Sequence, residues 1–368
     1  MSGHDVAAGS GGAGGHLPPG VPPQQPLQGP RETRGVAFFV AAFLGILLLA
    51  SAGLNVLLLL LSLGSLAGAG LGATAEGVFD EVHVAGPRTA AVKILSVPIH
   101  GAISQEANPL LGSAGGIVAR VERALADAGA NDDIRGVLLD IDSPGGGVTD
   151  SDRIYTAVRR FRRDHPDKRV LALFGDMAAS GGYYVAAAAE RIFARRTSIT
   201  GSIGVIMSGY NFAEAAKKIG VDSVSIKSDR TPFKDILSPT RPMRDDERAL
   251  LTRIVDELYD QFVEVVDEGR DGMDREQVLA VATGAIYTAS QAVANGLVDE
   301  IGDREAVLHW FERELGSKVA LVEQRRRLGL AEVLLGASAP SRSLEQSAGR
   351  LLTGLSGPRF LYFWEGGR

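Results

Sequence analysis

The sequence predicts an α/β protein with a mostly parallel sheet, preceded by one membrane-spanning helix. Two observations support this. From residue 89 onward, short apolar runs typical of buried strands alternate with amphipathic helical patterns, and such alternation favours βαβ units. Before them, residues 36–63 form an almost wholly apolar stretch without a charged side chain. About 20 apolar residues suffice to cross a bilayer, so this stretch predicts a transmembrane helix.

The flanking charges predict the orientation of that helix. A cleaved signal peptide is the alternative, but its apolar core would be about 7–15 residues and this one is much longer. Arg31 and Arg34 precede the helix, whereas Glu76, Asp80 and Glu81 follow it. Cytoplasmic flanks are enriched in basic residues. We therefore expect a single-pass protein of the cytoplasmic (inner) membrane, with the N-terminus inside and the rest on the extracytoplasmic side.

Changes in composition along the chain predict five segments. A Gly/Pro/Gln-rich start cannot bury enough apolar surface to offset the entropy of ordering, so it is predicted to be disordered. A small-residue linker follows the transmembrane helix, and a Ser/Ala/Gly-rich, peripheral tail follows the main domain. The boundaries are 1–34 for the disordered segment, 35–63 for the helix, 64–87 for the linker, 88–320 for the main domain and 321–368 for the tail.

Overall composition excludes several kinds of site. The formal net charge of -6 gives no general attraction to nucleic acid. The chain has no cysteine, which rules out disulfides and thiolate metal sites. Its six histidines show no metal-ligand spacing such as HExxH. We therefore expect no nucleic-acid partner, no metal and no cofactor.

Within the main domain, apolar periodicity predicts each element in turn. "AAVKILSVPIHGAI", "IRGVLLDID" and "RVLALFG" are predicted strands, and "GGIVARVERALADAG" and "DRIYTAVRRFRRD" are the helices between them. A long helix with a charged, solvated face is predicted from residue 245 to 270. Two short helices, near 274–282 and 288–295, precede a last strand and helix in "GLVDEIGDREAVLHWF".

Two glycine-rich turns at predicted strand ends are candidates for chemistry. In "LLDIDSPGGGV" a buried strand runs into Ser143-Pro144 and three glycines, which allow a close approach of backbone N–H groups to a ligand. A plain strand-to-helix turn would need the same glycines. In "GDMAASGGYYVAAAAERIF", Ser180 begins a helix and is either an N-cap or a nucleophile with free N–H groups beside it.

A nucleophilic serine needs a base, and no histidine is close to Ser180 in sequence. A neutral lysine can activate a serine when burial lowers its pKa. Lysine is scarce in this chain, and "SIKSDRTPFKDILSP" contains two, Lys227 and Lys234. Asp235 argues against Lys234 unless its side chain points away. Most lysines are solvated surface charges, and the residue pattern alone leaves the choice between these two open.

Four ordered motifs bear on the choice of lysine and on the function: "DSPGGGV", "AASGGYYVA", "TSITGSIGVIM" and "FKDILSP". In this order and spacing they resemble the signal peptide peptidase A family of membrane-anchored serine peptidases, over about residues 88–310. The resemblance implies the Clp-protease/crotonase-like α/β fold and a Ser–Lys dyad of Ser180 and Lys234. It also implies that Ser202 holds the lysine and that Gly146 lies in the oxyanion hole. We add Gly181 to that hole on geometric grounds.

The resemblance further implies a short, single-domain member that forms homo-oligomers. Its expected function is that of a serine endopeptidase, cleaving remnant signal peptides and other hydrophobic segments at the outer membrane face. In such assemblies a neighbouring subunit can contribute the lysine. Two alternatives remain open, a catalytically inactive membrane scaffold of the same fold and an acyl-CoA-handling enzyme. The loop "SDRTPFKD" is longer than the family's usual spacing, which supports the scaffold.

Overall fold

The computed structural model describes residues 34–70, 79–105, 116–326 and 359–363. Most of the predicted disordered segment and most of the tail lie outside these described residues. The chain divides into two compact units, one ending at Glu76 and the other beginning at Gly77.

The first unit contains one long helix, α1 (Arg34–Gly70). Within it, Phe38–Val56 is apolar and long enough to cross a membrane, with a mean hydropathy of 2.2. The large apolar side chains of this span are exposed within the unit, as expected for a helix whose partner is lipid.

The second unit is a mixed α/β domain. Its helices in the described ranges are α2 (Ile117–Ala130), α3 (Val148–Asp164), α4 (Gly181–Ala186), α5 (Ala213–Lys218), α6 (Asp245–Gly269), α7 (Arg275–Val281), α8 (Ala289–Ala294) and α9 (Arg304–Leu315). Its strands are β1 (Phe79–Ala85), β2 (Val92–His100), β3 (Ile134–Ser143), β4 (Gly145–Gly147), β5 (Arg169–Ala179), β6 (Arg191–Ala194), β7 (Ile199–Gly201), β8 (Ile206–Ser208), β9 (Ile286–Thr288), β10 (Glu300–Ile301), β11 (Val319–Arg326) and β12 (Arg359–Phe363).

Most of these strands form one large sheet in the order β1-β11-β2-β3-β5-β6-β10, with β7 and β9 attached beyond β5. All pairs from β11 to β10 are parallel, and only β1 and β9 run antiparallel to their neighbours. The predicted α/β fold with a mostly parallel sheet is therefore confirmed. A second, antiparallel sheet has the order β4-β12-β8.

Helices cover both faces of the large sheet, which explains the continuous apolar runs of its central strands. Leu139 of β3 packs in the cluster that includes side chains of α2, α3 and α6. Its neighbour Leu138 faces the other way, in a cluster with Phe311 of α9. Successive side chains of a strand point to opposite faces, so each face of β3 has its own apolar layer.

The structure differs from the sequence interpretation at the domain edges. β1 lies in the segment assigned to the linker, and β11 extends into the segment assigned to the tail. The two pair with each other, and β11 also pairs with β2. β1 mixes polar and apolar residues at the edge of the sheet, and β11 opens with a short buried apolar run, Val319 to Val322, that passes into the polar residues Glu323 to Arg326. Near the end of the tail, β12 enters the second sheet.

Candidate active site

Ser180 occupies a sharp turn between β5 and α4. Its backbone has φ 52° and ψ −117°, and the residue is 1% exposed. The Ser180 N–H donates to the Gly201 carbonyl at 2.7 Å, and the Ser180 carbonyl accepts from the Tyr184 N–H at 2.9 Å. These two bonds hold the turn on both sides.

A positive φ is rare for a residue with a Cβ and costs on the order of 1–3 kcal/mol unless its surroundings impose it. A buried strand before Ser180 and a buried helix after it impose the conformation here. A serine on a strained strand-to-helix turn is how many serine hydrolases present their nucleophile. The sequence interpretation of Ser180 as a simple N-cap has no support, since its side chain makes no capping hydrogen bond.

The three glycines of β4 lie beside this turn. Gly145 has φ 101°, which a residue with a side chain would rarely adopt. The Ile103 N–H donates to the Gly145 carbonyl at 2.8 Å, and the Gly147 N–H donates to the Ile103 carbonyl at 3.0 Å. Backbone groups alternate in direction along a strand. The N–H of Gly146 therefore points away from Ile103, as a donor in an oxyanion hole must.

The predicted oxyanion residues lie close together because neither has a side chain. A methyl group on Gly181 would lie 3.1 Å from the Gly146 nitrogen and would collide with the Ser151 hydroxyl. A methyl group on Gly146 would collide with the Ile103 backbone. The structure therefore places Gly146 and Gly181 together at the Ser180 turn.

Ser202 lies on the other side of the same turn. It follows Gly201, whose carbonyl accepts the Ser180 N–H, and it also has φ 52°. Its own N–H donates to the Ala285 carbonyl at 2.7 Å, and the residue is 8% exposed. Two strained serines thus flank one buried backbone junction.

Lys234 is not brought to this junction within the chain. It lies on the segment between β8 and α6, and its residue is exposed. In the described ranges its side chain makes no hydrogen bond or ion pair, and its backbone N–H donates to the Thr231 carbonyl at 3.1 Å. Four of the five predicted site residues therefore meet, and the lysine stays separate.

The acidic neighbour of Lys234 is occupied elsewhere. The Asp235 carboxylate accepts from the Arg241 guanidinium at 2.9 Å and also pairs with the Lys227 ammonium. Arg241, followed by Lys227, holds the pKa of Asp235 well below its usual range. The Asp235 side chain therefore points away from Lys234, because its carboxylate binds Arg241 and Lys227. Asp235 thus no longer argues against Lys234 as the base. Lys227 is engaged by this carboxylate and by the Pro232 carbonyl at 2.9 Å.

A second carboxylate ties the same segment to α6. Arg241 binds Glu247 in the first turn of α6, with its Nη1 donating at 2.8 Å. Glu247 also accepts from the Arg244 N–H at 3.0 Å. Its side chain is fully buried, and the Arg241 guanidinium lowers its pKa to about 2. This chain of ion pairs fixes the segment that carries Lys234.

Sequence reasoning missed two residues that shape the site. Ile103 binds the glycine strand on both sides of Gly146, and nothing in its sequence context marks it. Ser151, in the first turn of α3, is fully buried beneath Gly181, and its hydroxyl has no hydrogen-bond partner in the described ranges. Its position four residues after the triple-glycine motif was the only available signal.

A strained serine beside two backbone donors is the arrangement found in serine hydrolases. Comparison with known proteins shows which class of serine hydrolase this chain resembles. Residues 162–318 match the model of Peptidase family S49. A signal peptide peptidase SppA of Enterococcus faecium is 40% identical over 181 residues, covering 49% of this chain and 51% of that protein. Protease 4 of Haemophilus influenzae is 29% identical over 296 residues, covering 74% of this chain and 46% of that protein.

A third relative is the chloroplastic serine protease SPPA of Arabidopsis thaliana, 28% identical over 263 residues, or 70% of this chain and 38% of that protein. The chain thus contains a Peptidase family S49 domain and has signal peptide peptidase and protease 4 homologues, which supports the signal peptide peptidase A family that its motifs predicted. It spans about half the length of the curated relatives it matches, with 51% and 46% coverage in the two bacterial examples above.

The strain at Ser180 predicts an unusual response to glycine. Ser180→Gly should be more stable than Ser180→Ala by about 1 kcal/mol, because relief of a strain of about 1–3 kcal/mol exceeds the entropic cost of glycine, about 0.4–1 kcal/mol. Thermal or urea unfolding of both variants measures the difference. Ala179→Gly is the matched control in unstrained backbone and should lose about 0.5–1 kcal/mol. Equal stability of the two Ser180 variants would contradict the strain.

The Arg241–Glu247 pair predicts an acid-sensitive segment. The pKa of Glu247 lies below its ordinary value of 4.5, at about 2, so the pair stabilises the folded state above pH 4.5. That stability is lost as the pH falls from 4.5 towards 2. Glu247→Gln should therefore lower the melting temperature at pH 7, and its difference from wild type should shrink below pH 4.5.

The control for this experiment is Asp245→Asn, which removes an exposed carboxylate from the same helix turn. It should change the melting temperature little at either pH. A Glu247→Gln difference that persists unchanged down to about pH 2 would show that the pair does not act through the carboxylate charge.

Proposed function

We propose that this chain is a membrane-anchored serine endopeptidase in which Ser180 and Lys234 form a catalytic dyad. Its substrates are remnant signal peptides and other hydrophobic peptide segments at the outer face of the cytoplasmic membrane. The observation that carries the proposal is the strained, buried turn at Ser180 beside Gly146, whose N–H points away from Ile103. The match of residues 162–318 to Peptidase family S49 supports it.

The reaction follows from the positions of these groups. The neutral Lys234 amine takes the proton of the Ser180 hydroxyl as its oxygen attacks the scissile carbonyl carbon. The N–H groups of Gly146 and Gly181 stabilise the oxyanion that forms. Collapse of the tetrahedral intermediate expels the amine, which receives the proton from Lys234. Water then attacks the acyl-enzyme by the same route and releases the acid. Ser202 orients the lysine nitrogen.

The lysine comes from a second copy of the chain in this proposal. Within the described ranges, the hydrogen bonds of residues 209–244 stay inside this segment and the first turn of α6. None of the α5 side chains is buried. The segment also exposes large apolar side chains, which favours contact with another copy. These are Tyr210, Phe212, Ile219, Val221, Val224 and Ile226.

The substrate class rests on location and on the site lining. A helix able to cross a membrane brings the domain to the lipid surface, where effective concentrations of membrane peptides are high. The Ser180 turn is surrounded by alanine and glycine, which leaves room for an extended peptide backbone. The names of two relatives, signal peptide peptidase SppA and serine protease SPPA, agree with a peptidase.

The inactive scaffold is the second candidate, because Lys234 makes no hydrogen bond to Ser180 within the described chain. It predicts a folded, assembled protein whose Ser180 never reacts. Reactivity of Ser180 therefore separates the two candidates directly.

Labelling with a fluorophosphonate probe in detergent tests the nucleophile and the base. Wild type should label, Ser180→Ala should not, and Lys234→Ala should label at least about 100-fold more slowly, because general-base catalysis contributes about 10²–10⁴. Lys227→Ala is the matched control and should retain activity. Loss in Lys227→Ala with retention in Lys234→Ala would identify the other lysine as the base.

Mixing two inactive variants tests the origin of the lysine. Ser180→Ala retains Lys234, and Lys234→Ala retains Ser180, so co-expression should restore labelling of the Lys234→Ala copy. Alone, Ser180→Ala should stay unlabelled, and Lys234→Ala should label at least about 100-fold more slowly than wild type. If co-expressed variants co-purify and remain unlabelled while wild type reacts, the lysine acts within its own chain.

A further inference from the structure

The Ser151 hydroxyl is a buried polar group without a hydrogen-bond partner among the described residues. The residue is fully buried, and its Oγ bonds to no atom of the described ranges. Three arginine Nε atoms share this condition there, but each guanidinium bonds through another nitrogen, in Arg120, Arg191 and Arg304. Ser151 is therefore the one side chain of this group that is left wholly unpaired. Buried polar atoms of folded proteins nearly always have a partner, so this hydroxyl needs an explanation.

The glycine strand sets the position of this hydroxyl. Helix α3 begins directly after β4, and its N-cap Gly147 donates to the Ile103 carbonyl at 3.0 Å. Gly146 and Ser151 are five residues apart on this continuous stretch. A serine in a helix commonly returns its hydroxyl to the carbonyl four residues earlier, here that of Gly147. Within the part of the chain that the structure describes, Ser151 makes no such bond, so its hydroxyl is available to a group outside the helix.

The Ser151 hydroxyl faces the place where the two predicted oxyanion donors meet. A Cβ on Gly181 would collide with the Ser151 hydroxyl oxygen and would lie 3.1 Å from the Gly146 nitrogen. The hydroxyl, the Gly146 nitrogen and the Gly181 Cα thus surround one small space. The Tyr362 carbonyl oxygen also lies 3.1 Å from that Cβ position, so the space admits an acceptor oxygen. An unpaired donor beside such a space is suited to an oxygen on which negative charge develops.

We propose that Ser151 is a third donor of the oxyanion hole, and that its hydroxyl binds the oxyanion together with the N–H groups of Gly146 and Gly181. Ser151 is then a further catalytic residue, and this assignment rests on the proposed function. The hydroxyl gives up no proton: its hydrogen rotates about the Cβ–Oγ bond and donates to the oxygen as the charge develops. Because the hydroxyl has no partner in the resting fold, no hydrogen bond has to break when the oxyanion forms.

Fluorophosphonate labelling of the full-length chain in detergent tests the third donor. In this reaction the Ser180 oxygen displaces fluoride from phosphorus, and the phosphoryl oxygen takes the position of the oxyanion. Ser151→Ala should lower the maximal labelling rate about 10- to 100-fold, as expected for the loss of a hydrogen bond to a charged group. The probe concentration that gives half of this rate should stay at the wild-type value, because the donor acts in the transition state.

A second variant separates hydrogen-bond donation from packing. Cysteine fills the space of serine but is a weak donor, so Ser151→Cys should also label at least about tenfold more slowly than wild type. Ser96→Ala is the matched control, since it removes the hydroxyl of another buried serine. Ser96 lies on β2, two residues from Ile94 in the apolar cluster of α9, and its variant should label at the wild-type rate. Thermal unfolding of each variant establishes that it is folded.

The outcomes separate the two proposals. A wild-type labelling rate in Ser151→Ala would overturn the third donor and leave the peptidase intact. Slow labelling of Ser151→Ala with a wild-type rate in Ser151→Cys would also overturn the donor, because the side chain would then act only by filling space. Absence of labelling in the folded wild type would overturn the proposed peptidase, and the donor role of Ser151 with it.

Discussion

The close contact between two backbone turns is the constraint on which the rest of the structure depends. The glycine strand β4 and the start of α4 approach so closely that a Cβ on Gly145 would lie 2.7 Å from the Gly181 nitrogen, and a Cβ on Gly181 would lie 3.1 Å from the Gly146 nitrogen. The positive φ of Ser180 is a consequence, because the chain must leave β5 and enter α4 at this point. The parallel sheet supplies the rigidity, since β3 and β5 are neighbours and both turns follow from their ends.

The sheet, its helices and the two glycine turns were predictable because their signals are local. Apolar runs, amphipathic periods and glycine clusters each reflect the environment of neighbouring residues. Strands β1 and β11 were missed because pairing at a sheet edge depends on a partner more than 200 residues away, here Val82 with Glu323. The same limit applied to Ile103, whose role consists only of backbone hydrogen bonds.

Ser180 and the glycines could be placed from sequence, and the lysine could be named but not located. The choice of Lys234 came from a motif, whereas its position depends on a segment held by ion pairs among Lys227, Asp235, Arg241 and Glu247. Those pairs join residues 6 or 8 apart in sequence, the larger separation being that of Lys227 and Asp235. The order of charged residues in the sequence does not reveal which carboxylate pairs with which cation. The sequence therefore could not show that Asp235 pairs with Lys227 and Arg241 and not with Lys234.

Tyr184 connects parts of the molecule that are usually separate. Its N–H holds the Ser180 carbonyl, its ring stacks on Tyr362 of β12 with centroids 4.9 Å apart, and its hydroxyl donates to Asp152 of α3 at 2.9 Å. Replacing this residue would therefore alter three elements at once: the turn at Ser180, the packing of the C-terminal strand and the contact with α3. The order of β12 and the geometry of the Ser180 turn are thus coupled through one side chain, and an engineer who wants to change the packing of β12 without touching that turn has to work from the α6 side, at Phe262.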